Sequence, residues 1–559
     1  MKKNLKTFLG VTAGLIAVNL AGNYVYHRFD LTSDHRYTLS ETTKTILKNV
    51  EEPVFIDVYL EGDFPAELRK LQTESKQLLE EFNAYNGNIN FVFVDPLAAD
   101  KEMSEQIAEQ LFANGMKPIS ISVNDKGKQS QEMVFPWAVA TKGDQHAKIQ
   151  LLKGMAGAST EEKISGSVQH LEYAIAEAIH KVSTEKSKKI AVIKGIGELN
   201  DVYMADFLRS LRDSYYIAPF TLDSVAVNPQ KTLKDLQEYD LAIIAKPTKA
   251  FDENQIEVLD QFVLNGGKSI WMLDQVQADM DSLYNKTGEM LAYPKDQSLG
   301  EMLFKYGVRV NPDLVKDDMG APIKLAIGQK GSETVYEDFV WKFAPFAVSQ
   351  SAHPIVKNIE GVKFDFANSI DTLKNNIRKT VLLTSSPYVS KVGTPSVVSL
   401  AATVNEKTGS NTSEKISPVP LAVLLEGSFT SVYKNRVIPF KTDHYLNEGK
   451  PTKMIVISDG DVVKNQLDQN GEPMELGYDK WTNAFYGNKE FLMNAVNYLL
   501  DDNGLINLRT KEVKLPLLDK EKVYNDYNYI RAVIVALPVV LLIVFGFVFT
   551  YLRKKKYTK

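Results

Sequence analysis

The sequence predicts an α/β body held between two membrane-spanning helices. Three observations carry this. Uncharged apolar segments lie at both ends of the chain, apolar strands alternate with amphipathic helices between them, and 559 residues are too many for a single hydrophobic core.

Residues 7–26 and 532–552 contain no charged side chain, and each is about 20 residues, the length that crosses ~30 Å of hydrocarbon as a helix. Lys2, Lys3 and Lys6 precede the first segment, and Arg553, Lys554, Lys555 and Lys556 follow the second. Positive charge marks the cytoplasmic side. The expectation is therefore a two-pass inner-membrane protein with both termini inside and residues 28–529 outside. A cleaved leader is the rival for the first segment, but Asn23-Tyr24-Val25-Tyr26 is too bulky for a small-x-small cleavage site. Gly10, Gly14, Ala17 and Ala21 fall on one face of this helix, and small residues let helices in lipid approach closely.

The body begins with strand and helix patterns over residues 54–60, 65–82, 89–94 and 101–112. Strands near 118–123, 132–140 and 147–152 and a helix near 167–182 follow. This order predicts a thioredoxin-like domain over 28–185. Lys117-Pro118 stands where that fold often carries a cis proline. The chain has no cysteine, so such a domain is a scaffold without thiol redox chemistry. Disulfides, thiolate metal sites and cysteine nucleophiles are excluded by the same count.

From 186 to 500, buried-type strands at 190–194, 241–245, 269–273 and 454–458 alternate with helices, including one capped by Asp252. That pattern predicts a doubly wound parallel sheet covered on both faces. It is interrupted by a β-rich insertion or extension at about 280–450. Residues 501–529 are expected as a stalk, and 530–559 as the second span with its basic tail, while 1–27 hold the N-terminus and first span.

Ligands in open α/β sheets bind at the carboxyl ends of strands. Gly197, Glu198, Asp274 and Asp459 follow predicted strands and are the candidate binding residues. The histidines at 27, 35, 146, 170, 180, 353 and 444 show no paired metal spacing, and neither a Walker A loop nor a Gly-x-Ser-x-Gly elbow occurs. The expectation is no catalytic residue, no metal and no cofactor. The net charge of -5 argues against nucleic acid as partner.

Several stretches resemble a known family: RFDLTSDHRYTLSETTKTIL (28–47), VYLEGDFPAELRKLQ (58–72), LFKYGVRVNPDLV (303–315), NSIDTLKNNIRKTVLLTSSPY (368–388), PLAVLLEGSFTSVYKNRV (420–437) and GNKEFLMNAVNYLLDDNGLINLR (487–509). They are similar to the substrate-binding-like auxiliary subunits of gliding-motility-associated ABC transporters. The resemblance implies an inner-membrane complex with a polytopic permease (GldF), a cytoplasmic ATPase (GldA) and further motility or envelope proteins. It also implies that the second domain is similar to class I glutamine amidotransferases. Their nucleophile is a cysteine, so amidotransferase chemistry is excluded here. A non-catalytic interaction subunit is the leading expectation, and a periplasmic solute receptor using the strand-end crevice is the alternative.

Overall fold

The computed structural model describes residues 8, 10–16, 30, 32, 36–62, 64–98, 101–125, 128–154, 159–349, 351–405, 417–442, 444–511 and 520–558. The chain divides into two units, Met1–Glu512 and Val513–Lys559.

The first part of the larger unit is a four-stranded mixed sheet. Its strands are β1 (Val54–Val58), β2 (Ile89–Phe93), β5 (Trp137–Lys142) and β6 (Gln145–Gln150), in the order β2-β1-β5-β6. β1 and β2 run parallel, whereas β5 is antiparallel to both β1 and β6. A separate hairpin, β3 (Ile119–Asp125) and β4 (Lys128–Val134), precedes β5. The strand expected over 132–140 is thus two strands, split at Phe135-Pro136, where proline has no N–H for a ladder. The Lys117–Pro118 bond is trans; the cis bond among the described residues is Thr394–Pro395.

Four helices accompany this sheet: α1 (Glu41–Lys48), α2 (Ala66–Tyr85), α3 (Lys101–Ala113) and α4 (Thr160–Ser183). The helical spacing of Leu68, Leu71, Leu78 and Phe82 puts all four in the core. Their helix packs against α4, whose start is fixed by a capping box between Ser159 and Glu162.

A seven-stranded sheet forms the centre of the body. Its strands are β7 (Lys189–Lys194), β8 (Tyr216–Thr221), β9 (Leu241–Ala245), β10 (Lys268–Met272), β11 (Arg378–Thr384), β12 (Pro420–Thr430) and β13 (Glu448–Ile457), ordered β11-β12-β13-β10-β9-β7-β8. β8, β7, β9, β10 and β13 are parallel, and the chain winds outward both ways from β7. Every residue of β9 is buried, as expected for a strand covered on both faces. Helices α5 (Ala205–Arg212) and α8 (Asn488–Leu500) cover one face through Phe207, Leu211, Phe491 and Val496. Helices α6 (Pro229–Leu236) and α7 (Glu253–Leu264) cover the other through Leu233, Leu259 and Phe262. The edge strand β8 has no strong sequence signal because Pro219 sits in it; proline is tolerated there because one side of an edge strand makes no ladder bonds.

The stretch at 280–450 is an extension of this sheet as much as an insertion. β12 pairs antiparallel with β13 and β11 with β12, while other segments form small two-stranded pairs such as Pro322–Lys330 with Glu333–Val340. Part of the stretch expected as a stalk from residue 501 packs on the body. Leu505–Thr510 is a turn of 3-10 helix packed on α4, and Arg509 is 3% exposed.

In the smaller unit, Lys520–Asn525 precedes a helix over Tyr527–Tyr557 that contains the predicted second span and Pro538. It is the one helix among the described residues long and apolar enough to cross a membrane, and none of it is buried. Of the first predicted span, residues 10–16 are helical, and a Cβ on Gly10 or Gly14 would meet open space. Ala17, Ala21 and the remainder of that span beyond residue 16 lie outside the described residues.

Candidate functional site

At the carboxyl ends of β9, β10 and β13 each strand passes a charged residue into the following loop: Lys246, Asp274 and the run Asp459-Gly460-Asp461. Asp274 Oδ1 accepts the Gly460 N–H at 2.6 Å. Asp459 Oδ1 accepts the Asp461 N–H at 2.6 Å, and Asp459 Oδ2 the Asp365 N–H at 2.8 Å. Asp274 and Asp459, two of the candidate binding residues, therefore lie close together, and both hold loops by accepting backbone donors.

Asp461 occupies a different position. Its Oδ2 is hydrogen-bonded to Lys246 Nζ, which also stands 3.7 Å from Asp274 Oδ2. Its Oδ1 has no hydrogen-bond partner, although its side chain is only 7% exposed, with Lys464 Nζ 3.9 Å away. Lys246 reaches the carboxylates from a left-handed backbone (φ 49°), rare for a non-glycine residue. A Cβ on Gly460 would lie 2.6 Å from Lys246 Cγ, so this loop needs glycine to let the lysine pass.

Asp461 lies on the wall of a cavity of about 1120 Å³, together with Tyr203, Tyr284, Trp341, Lys363, Asp365 and Trp481. Lys363 Nζ stands 3.4 Å from Asp479 and 3.6 Å from Asp365. Burial alone would push the Lys363 and Lys246 ammonium groups down. The facing carboxylates, Asp365 and Asp479 for Lys363 and Asp461 and Asp274 for Lys246, outweigh it and hold both above the usual lysine range. Burial raises Asp365 and Asp274, against the pull of Lys363 and Lys246 respectively. Asp459 is raised furthest, by burial and then by its neighbours Asp461, Asp274 and Asp365. Protonation thus relieves the repulsion among these acids. Among the described residues no group of three or more His, Asp or Glu side chains is arranged to hold a metal.

Glu198 and Gly197 do not join this site. Glu198 accepts the N–H of Ile196 and stands 3.9 Å from Lys194, all within its own loop. The loop after β9 closes on it: Thr248 and Lys249 donate N–H bonds to the Ile196 carbonyl, and Thr248 Oγ1 donates to the Gly197 carbonyl at 2.6 Å. Gly197 is a tight turn at φ 69°. Lys246 and Asp461 could have been found by the strand-end rule that found Asp274. Lys363 (in the short strand Val362–Lys363), Asp365 and the aromatic wall come from segments scattered along the chain and carry no such signal.

Residues 187–495 match the family described as ABC-type uncharacterized transport system, and residues 33–141 match a domain of unknown function (DUF7088). A Borreliella burgdorferi protein described as uncharacterized is 20% identical over 540 residues, covering 95% of this chain and 94% of that one. A solved mmIFT52 N-terminal domain is 14% identical, with a TM-score of 0.30, covering 56% of this chain and 98% of its own.

Proposed function

This chain belongs to the auxiliary proteins of the ABC-type uncharacterized transport system family, and from that membership we propose that it is a non-catalytic, membrane-anchored accessory subunit of an ABC transporter-type complex. The observation that carries the reading is the match over 187–495, the region that builds the seven-stranded sheet. The unburied apolar helix Tyr527–Tyr557 supports anchoring, since the core helix of a soluble protein would be mostly buried.

The finer reading adds a second anchor over 7–26, both termini in the cytoplasm and the body outside it. The partners are a polytopic permease and a cytoplasmic ATPase, in gliding motility. The strand order β2-β1-β5-β6 with β5 reversed supports a thioredoxin-like scaffold, and the outward winding from β7 supports an amidotransferase-like sheet. Affinity isolation of the intact chain from gently solubilised membranes tests the proposal. Co-isolation with a permease and an ATP-binding subunit is expected, and recovery as a lone monomer overturns it.

A second reading, a solute receptor, is favoured by the cavity beside Asp461 at the strand ends.

A further inference from the structure

The cavity's unmet hydrogen bonds and its charge balance restrict what can fill it. We infer that it takes a neutral, polyhydroxylated ligand of oligosaccharide size, an inference that rests on the receptor reading above.

Five buried polar atoms on residues of the cavity wall have no hydrogen-bond partner: Asp461 Oδ1 and Asp365 Oδ1, both acceptors, Trp341 Nε1, a donor on a residue 2% exposed, and the Thr482 and Tyr486 hydroxyls, which can do either. A buried polar group left unpaired is destabilising, so a ligand that serves donors and acceptors alike is favoured. A hydroxyl group both donates and accepts. An ammonium group only donates, and a phosphate or carboxylate at neutral pH chiefly accepts.

Charge narrows the class further. Lys246 faces Asp461, Lys363 lies between Asp365 and Asp479, and Lys464 stands 3.9 Å from both Asp461 and Asp281. A cationic ligand would compete with lysines already in place. An anionic one would meet the carboxylates beside these three lysines. A neutral ligand pays neither cost.

Tyr284, Tyr336 and Trp481 also line the cavity and are 63%, 57% and 58% exposed. Flat aromatic faces beside polar atoms suit a ring with an apolar C–H face and hydroxyls at its rim. The volume of about 1120 Å³ exceeds the ~300–1,000 Å³ usual for small-ligand sites, which points to several sugar units.

The test uses the full chain in nanodiscs and calorimetric titration with maltohexaose, cellohexaose and chitohexaose. A glycine–serine hexapeptide, spermidine and inorganic phosphate are titrated in parallel. At least one hexaose is expected to bind, and Trp481→Ala and Asp461→Asn to weaken it by about tenfold or more. Trp481 is exposed, so its variant keeps the test decisive if Asp461→Asn fails to fold. Hexaose binding untouched by Trp481→Ala overturns the inference, because the ligand then sits elsewhere. Peptide, amine or phosphate binding that the variants abolish overturns the sugar class and leaves the receptor reading standing. No binding by any probe overturns both.

Discussion

At the residue scale, the charged network at the strand ends is where single substitutions should act most strongly. Lys246→Met leaves Asp461 and Asp274 buried without their cation, and removing one partner of a buried ion pair costs about 3–5 kcal/mol. A fall of that size in urea-unfolding stability near neutral pH is expected. Because the carboxylates hold Lys246 above its ordinary value, its contribution is complete below the unfolded lysine pKa of about 10.4 and disappears as pH rises through the folded value. The deficit of Lys246→Met should therefore shrink in strong alkali. Gly197→Ala places a Cβ 2.2 Å from Thr248 Oγ1 at a positive φ. It should lower the unfolding midpoint without altering ligand binding, because Gly197 is outside the cavity wall.

Glu257 gives a second pH signature. It is fully buried on α7, one oxygen accepts the Phe440 N–H at 2.9 Å, and the other has no partner. Burial first, and then Asp260, raise its pKa to about 7 from 4.5. The folded chain thus holds a proton that the unfolded chain releases near pH 4.5. Stability from this group is greatest below 4.5, falls as pH rises to about 7, and is level above. Unfolding midpoints of Glu257→Gln and the parent chain across pH 4–8 should diverge over this window and run parallel beyond it.

At the scale of elements, most of the body was legible from periodicity and capping. Asp252 caps α7 as expected, with Gln255 completing a capping box, and Asp252→Ala should cost about 1 kcal/mol in urea unfolding. The elements that sequence reading missed have physical reasons. β8 carries a proline that only an edge position accepts, and β4 and β5 were merged because an apolar run hides the Phe135-Pro136 break. β11 and β12 looked like insertion because antiparallel strands added to a parallel sheet follow no helical alternation. The loop between β12 and β13 is tied down by Asp260 and Gln261, which accept N–H bonds from Val432 and Leu446, a pairing between segments far apart in sequence.

At the scale of the whole molecule, the larger unit is tied together by a buried junction. Glu490 on α8 pairs with Lys153, which follows β6, and with Arg509 at 2.8 Å. Glu490→Ala leaves two cations buried and uncompensated, and limited proteolysis should then cut faster near residues 153 and 509. For the membrane reading, a chain lacking 513–559 should stay in the membrane fraction and be released only when residues 1–27 are removed as well. Fractionation followed by immunodetection checks this.

By itself, the sequence determined the apolar C-terminal segment, the alternation that builds a covered parallel sheet, and the absence of any thiol chemistry. Each is set by composition or by short-range period. The tertiary structure alone decided that Asp274 and Asp459 hold loops while Asp461 faces the cavity, that Lys246 and Lys363 counter these acids, and that Glu198 turns inward to its own loop. Those outcomes depend on which strand ends lie side by side, and that neighbourhood is fixed by the packing of distant segments, which no local pattern records.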